Sequence, residues 1–305
     1  MEIITYKQFK DKSQFMMLME MAFGWPMNPY DFDKIVQWDE RFKNSPVGFC
    51  AMVDKKLASH IGVLNIPLKT VEGKIEVVGG IRAVATNPDF ANRGMAGWPM
   101  EKAHEHFREK GYRFSFLCTS RSFIAYAGYK KLGYVEVESV NRIPATYKLF
   151  KKTSHIKKPA KSKPNQAKIF SLFEKYTKDK FGFTIRQKDF VKLYLFRKLI
   201  SEKTFVQMKN GYVFLSENRG VSRVQEMVAS DRATYEKLVI KSEQMSNSAV
   251  IDRSVYDPVL LEIYQSRGYK LQQNSNHVLM VKSLDNLDYR EVFGDSIYIS
   301  ILDWF

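Results

Sequence analysis

The chain has 305 residues, 45% hydrophobic and 14% aromatic, which excludes wholesale disorder and leaves room for two folded domains. No apolar run approaches the roughly 20 residues of a membrane helix, and the opening stretch lacks an apolar segment followed by a cleavage site. A net charge of +15 fits an anionic partner (nucleic acid, a membrane surface or a phosphorylated cofactor) and equally a solvated basic surface, while Cys50 and Cys118 are too few for a disulfide framework or a metal knuckle.

In chain order, Phe15, Leu18, Met19 and Phe23 predict a helix over 13–23, ended by Gly24, Trp25 and Pro26. A second helix is expected over 31–42, then short strands over 47–54 and 57–67 and a long strand over 74–86. Ala96, Met100, Ala103 and Phe107 form one helical stripe that Gly111 closes. A buried strand over 114–119 follows. Ser120 or Ser122 could cap the next helix, which ends at Gly133 and Tyr134 before a strand over 135–137. This order predicts an α/β or α+β fold with a mixed, mostly antiparallel sheet flanked by helices. Residues 151–164, with six lysines and two prolines, read as a basic linker, since no aromatic residues interleave for base stacking. Beyond it, helices are expected over 166–180, 188–203 and 232–245, with strands over 211–216, 221–229, 249–253 and 278–281. Asp257 and Pro258 open one more helix, through Leu260, Leu261, Ile263 and Tyr264.

The segment 77–97 carries the chemistry. A strand leads through Asn87 and Pro88 to a loop of Asn92, Arg93, Gly94, Met95, Ala96 and Gly97, and then to a helix. Amides at a helix start have no intrahelical partner, and the dipole adds positive potential, so this is an anion site. Small residues let a phosphate approach the backbone. The reading is a loop that holds the diphosphate of coenzyme A.

One pattern occurs twice: Tyr129 to Tyr134 and Tyr264 to Tyr269 both read Y-x-x-x-G-Y at a helix end. With the similar element order this suggests a duplicated fold. The second copy has no phosphate loop, because Ser230, Asp231 and Arg232 stand in its place.

Val84, Thr86 and Pro88, followed by Asn92, Arg93, Gly94 and Ala96, resemble the acetyl-CoA motif of the GNAT N-acetyltransferases. Ser122, Ala125, Tyr129, Gly133 and Tyr134 resemble that family's second motif, and the duplication is similar to the tandem Eis-type (enhanced intracellular survival) enzymes. The resemblance implies an acyl-CoA N-acyltransferase fold over 1–150, the linker 151–164, and a degenerate GNAT-like domain over 165–305. It implies acetyl-CoA as co-substrate, an amine acceptor, and no metal or membrane. Val84 and Thr86 would pair with the pantetheine arm as an added strand would. The amides of Asn92, Arg93, Gly94, Met95, Ala96 and Gly97, the Arg93 side chain and Ser122 would bind the cofactor, and Tyr129 would donate a proton to the leaving thiolate. The sequence departs from the motif at Ala91, where Gln or Arg is usual, at Ser122, where Asn is usual, and at Pro99, early in the helix.

An amine of pKa about 10.4 must lose its proton to attack a thioester. Many relatives keep a glutamate on the central strand, but Val78, Gly79 and Gly80 supply no carboxylate. The Eis resemblance implies the α-carboxylate of Phe305 as base; the other reading of that apolar end is a packed strand. His104 and His106 point apart on their helix and form no metal pair, and Cys118 reads as core. The acidic and aromatic stretch 20–39 could wall an amine site or be simple packing. The expectation is thus a cytoplasmic N-acetyltransferase. The alternative is a non-catalytic CoA-sensing, nucleic-acid-binding or protein-binding module on the same fold.

Overall fold

The structure, a computed structural model, describes residues 1–24, 28–137, 145–150, 163–253, 255–272, 276–295 and 297–303. The first half carries β1 (Glu2–Thr5), α1 (Lys12–Phe23), α2 (Pro29–Trp38), β2 (Gly48–Val53), β3 (Lys56–Lys69), β4 (Ile75–Thr86), α3 (Gly97–Glu109), β5 (Phe114–Ser120), α4 (Ile124–Lys131) and β6 (Val135–Glu136). The second half carries β7 (Ala145–Leu149), α5 (Gln166–Thr177), α6 (Phe190–Phe196), β8 (Phe205–Gln207), β9 (Gly211–Asn218), β10 (Val221–Ala229), α7 (Arg232–Gln244), β11 (Ala249–Asp252), α8 (Pro258–Ser266), β12 (Lys270–Gln272), β13 (His277–Ser283) and α9 (Tyr289–Phe293).

Most predicted elements stand, and the differences have local causes. The helix expected over 31–42 breaks at Asp39, whose carboxylate accepts the Arg41 amide and starts a separate 3-10 turn. Neither Ser120 nor Ser122 caps α4: the two hydroxyls bond each other at 2.8 Å, and Phe123 holds the cap position without a side-chain bond. The helix expected over 188–203 shrinks to α6, because Lys198 sits at φ 58°. The short strands β1, β7 and β8 have no counterpart in the sequence reading.

The strands form two mixed sheets, ordered β1-β2-β3-β4-β5-β13-β6 and β12-β7-β11-β10-β9-β8. Read from β2 and from β8, they repeat one plan. A parallel pair, β4–β5 or β10–β11, follows an antiparallel run, and a strand antiparallel to that pair comes next. In each sheet that next strand is far in sequence from the pair it joins. Strand β13 pairs with β5 and β6, whereas β7 pairs with β11 and β12. The two compact units therefore comprise 1–137 with 277–292, and 138–276 with 293–304. This differs from a cut between 150 and 165, because pairing between strands far apart in sequence, not linker composition, sets the division. Residues 151–162 lie outside the described residues.

In the first unit, the apolar stripe of α3 (Met100, Ala103 and Phe107) packs with Ile81, Leu117, Tyr129, Val278 and Met280 in one buried cluster. Gly79 lies against the Phe107 ring: a Cβ there would sit 2.4 Å from it. In the second unit, Arg186 is buried between two carboxylates. It makes a two-pronged contact with Glu226 at 2.6 and 2.8 Å and bonds Asp303 at 2.7 to 3.1 Å.

Candidate active site

In the first sheet the parallel pairing of β4 with β5 runs from Gly79–Ser115 to Ile81–Leu117 and stops. There β4 carries a bulge, in which Ala83 and Val84 both stand opposite Ile61 of β3. Ala83 adopts φ +47°, the left-handed conformation found at the first residue of a G1 bulge, where glycine is usual. The bulge bends β4 away from β5. Residues 82–86 keep β3 on one side and, among the described residues, have no strand on the other. Val84 packs against the cluster that holds Ile81, Leu117 and Tyr129, at the apex of this split.

The loop after β4 begins with an Asx turn. The Asn87 side chain accepts the Asp89 amide, while the Asn87 N–H donates to Ala58 O at 2.8 Å. Asn92 at φ 60° and Gly94 at φ 69° then alternate left-handed residues along the loop. Such alternation turns successive N–H groups into one concavity, an anion-binding nest. Among the described residues, the amides of Asn92, Arg93, Gly94, Met95 and Ala96 have no acceptor, whereas the Gly97 amide, expected to join them, is spent in a turn and donates to Gly94 O at 2.9 Å. Added Cβ atoms on Gly94 and Gly97 would meet nothing within 4 Å, so the approach to those amides is open. Pro99 is the third residue of α3, where its missing N–H costs no helical bond. The Arg93 guanidinium lies 5.9 Å from the centre of the Phe90 ring. Exposed Trp98 at the start of α3, and Phe123 and Ile124 at the start of α4, add apolar surface at the two helix N-termini.

Tyr129 is 8% exposed, and its ring meets Tyr134 edge-on at 6.0 Å. Its hydroxyl has no hydrogen-bond partner among the described residues, and burial pushes its pKa up to about 12. The helix end that carries it is fixed tightly. Gly133 at φ 86° turns the chain, the Tyr134 amide donates to Tyr129 O at 3.0 Å, and the Tyr134 hydroxyl bonds His104 and Ser115 at 2.8 and 2.7 Å. His104 is thus part of a buried network. Ser122 sits in the turn between β5 and α4, engaged with Ser120.

No carboxylate of β4 reaches the split: its one acid, Glu76, lies near the opposite end of the strand and is paired with Arg113. In the stretch 20–39, Asp33 accepts the Tyr6 hydroxyl and Asp39 takes Arg41 through two contacts. Trp25 and Phe305 lie outside the described residues. Among the described residues there is no cluster of three metal-ligating side chains, and no helix is long and apolar enough to cross a membrane.

The corresponding corner of the second unit is closed. The β10–β11 pairing ends at Val224–Asp252, again at a bulge, but Phe183, Tyr256 and Tyr298 fill that gap with ring centres 5.0 to 5.1 Å apart. At the start of α7 the Asp231 carboxylate takes the Thr234 amide at 2.8 Å. Tyr264, the counterpart of Tyr129, donates to Asp252 at 2.9 Å.

The family profile described as acetyltransferase (GNAT) domain matches residues 4–137. Residues 4–137 are a GNAT acetyltransferase domain. Solved structures similar in fold extend the likeness over both sheets. A GCN5-related N-acetyltransferase from Kribbella flavida matches with a TM-score of 0.62 and 16% identity, over 93% of this chain and 72% of that one. Eis1 from Mycobacterium abscessus matches with a TM-score of 0.65 and 14% identity, over 93% of this chain and 74% of that one. The N-myristoyltransferase of Saccharomyces cerevisiae, solved with bound myristoyl-CoA, matches at 0.52 and 9% identity over 92% of this chain and 78% of that one. A search of curated protein sequences finds no match.

Two features of this site were beyond sequence reasoning: the left-handed Ala83, and the hydroxyl of Ser59, which donates to Met95 O at 2.7 Å. The Asn-Pro pair at 87 and 88 was the one available signal, as an Asx turn.

Proposed function

We propose that this GNAT protein transfers an acetyl group from acetyl-CoA to a primary amine by direct attack in a ternary complex. One observation carries the reading: a parallel strand pair that opens at a bulge, followed by five consecutive unpartnered amides at a helix N-terminus. The opening offers strand-like pairing at Val84 and Thr86 to an extended pantetheine arm, and the amides from Asn92 to Ala96 suit a diphosphate. Arg93 would add a charge-assisted contact, and Ser122 would contact the cofactor from the turn between β5 and α4.

The amine nitrogen bonds to the thioester carbonyl carbon as the C–S bond breaks, and the sulfur leaves with the bond pair. Tyr129 supplies a proton or hydrogen bond to that sulfur. Its pKa of about 12 keeps it the protonated donor at any working pH. The same apolar surroundings disfavour a thiolate, as they do at Cys50, whose burial raises its pKa to about 12. The proton lost by the amine is assigned to the α-carboxylate of Phe305.

The test is a thermal-shift titration with acetyl-CoA, followed by thiol release with polyamines, aminoglycosides and peptides as acceptors. Stabilisation with acceptor-dependent thiol release supports the enzyme. Stabilisation with no release from any amine leaves the CoA-binding module as the better account. Deleting Phe305 is expected to abolish turnover and leave CoA binding intact; a fully active truncation removes it as base.

A further inference from the structure

Two consecutive residues of β3, Ser59 and His60, are fully buried and polar, and each makes one hydrogen bond to a carbonyl of the site. Ser59 donates to Met95 O at 2.7 Å, in the loop of unpartnered amides. His60 Nδ1 lies 3.1 Å from Ala83 O, the left-handed residue of the bulge. Burial lowers the His60 pKa to about 4, so the ring is neutral and Nδ1 carries the proton that it donates. Its other nitrogen, Nε2, is buried without a partner, and Gly48 packs so close that a Cβ there would come within 2.5 Å of it. Phe15 meets the ring edge-on at 4.9 Å. The imidazole thus sits in a fitted slot with a single polar contact, to the bulge.

The geometry of the peptide unit gives these contacts a direction. In a planar trans peptide the C=O and the following N–H point opposite ways. With Met95 O turned to Ser59, the Ala96 N–H faces away from β3, toward the open side of the loop. With Ala83 O turned to His60, the Val84 N–H likewise faces away from the ring. We propose that Ser59 and His60 are positioning residues for the acyl-CoA site, Ser59 aiming the diphosphate amides and His60 holding the bulge that presents Val84 to the pantetheine arm. This rests on the acyl-CoA reading above. A left-handed alanine is strained and persists only where its surroundings over-determine it. The His60 bond is such a constraint.

The experiment uses the full chain and measures affinity for CoA and for pantetheine, which lacks the diphosphate, together with KM and kcat in thiol release. Ser59→Ala is expected to weaken CoA binding and raise KM about tenfold, the scale of one lost amide contact, with pantetheine affinity and kcat unchanged. Ser59→Thr, which keeps the hydroxyl, is expected to restore it. His60→Leu is expected to weaken CoA and pantetheine alike. His60→Asn, whose side-chain amide replaces the Nδ1 donor, is expected to stay within about threefold of wild type on both. Equal loss of CoA and pantetheine binding in Ser59→Ala, or unchanged CoA affinity there, overturns the Ser59 role. A His60→Asn chain that folds but loses pantetheine binding, or a His60→Leu chain that keeps it, overturns the His60 role. If the wild-type chain binds neither CoA nor acetyl-CoA, the acyl-CoA reading falls and takes this inference with it. If the wild type binds and the variants match it, this inference alone falls.

Discussion

Replacing Tyr129 by phenylalanine separates chemistry from packing, because the structure predicts effects of opposite sign on the two. The ring keeps its place against Tyr134 and the cluster of Ile81, Leu117 and Met100. The hydroxyl that is removed has no partner among the described residues, and burial is the sole cause of its raised pKa. A buried, unbonded hydroxyl is a cost of about 1 to 3 kcal/mol when fully desolvated. Tyr129 retains 8% exposure, so the relief is smaller, up to about 1 kcal/mol. The melting temperature should hold or rise by about 2 to 4 °C. Turnover should move the other way. Loss of a positioned proton donor lowers kcat about 10²- to 10⁴-fold, or about 3 to 5 kcal/mol of transition-state stabilisation. KM for acetyl-CoA should stay put, since the contacts proposed for that substrate are to backbone amides. The wild-type kcat should also show no alkaline loss below pH about 10, since the phenol keeps its proton to about 12. Thiol release with the best acceptor and differential scanning fluorimetry measure both quantities. An unchanged kcat, or a melting temperature lowered by about 5 °C or more with loss of CoA binding, would refute the assignment.

Gly79→Ala puts a methyl about 2.4 Å from the Phe107 ring and should cost about 1 to 3 kcal/mol in urea unfolding. Pairing it with Phe107→Leu should recover part of the loss, and strict additivity would show that the two do not meet. Acid should weaken the fold through its buried histidines. His60 and His104 are held neutral, at about 4 and about 3, while unfolded histidine titrates near 6.5, so the stability they confer is complete above about pH 7 and is lost as pH falls from there toward their folded values. At pH 5.5 the loss is about 1.4 kcal/mol per histidine, and His60→Asn should remove its share of the difference between urea midpoints at pH 7.5 and 5.5. Calorimetry should count one CoA per chain, because Asp231 and Tyr264 are already engaged in the second unit; two sites would contradict that reading.

The parts of the site that sequence made legible are those written locally. Gly94 and Gly133 mark left-handed turns, and both adopt them. The stripe of Met100, Ala103 and Phe107 names the buried face of α3, and Tyr129 follows from its fixed spacing to Gly133 and Tyr134. What stayed hidden depends on partners distant in the chain. A strand over 278–281 was readable as a strand, but nothing in its own residues says that it lies beside β5 rather than beside strands of its own half. Ser59 and His60 look like ordinary strand positions until the loop and the bulge fold against them. The shortened α6 shows the reverse case, in which apolar spacing continued past the point where Lys198 turns the backbone.

The placement of β13 also bears on how the protein is made. The strand that closes the first sheet over β5 leaves the ribosome about 140 residues after that sheet's other strands, and at 5 to 20 residues per second that is on the order of ten seconds. Throughout that wait, Phe114 to Ser120 presents an uncovered apolar edge, a template for pairing with the wrong chain. The amino-terminal half produced alone would keep that edge permanently, so its solubility, rather than its catalysis, is where truncation would first be felt.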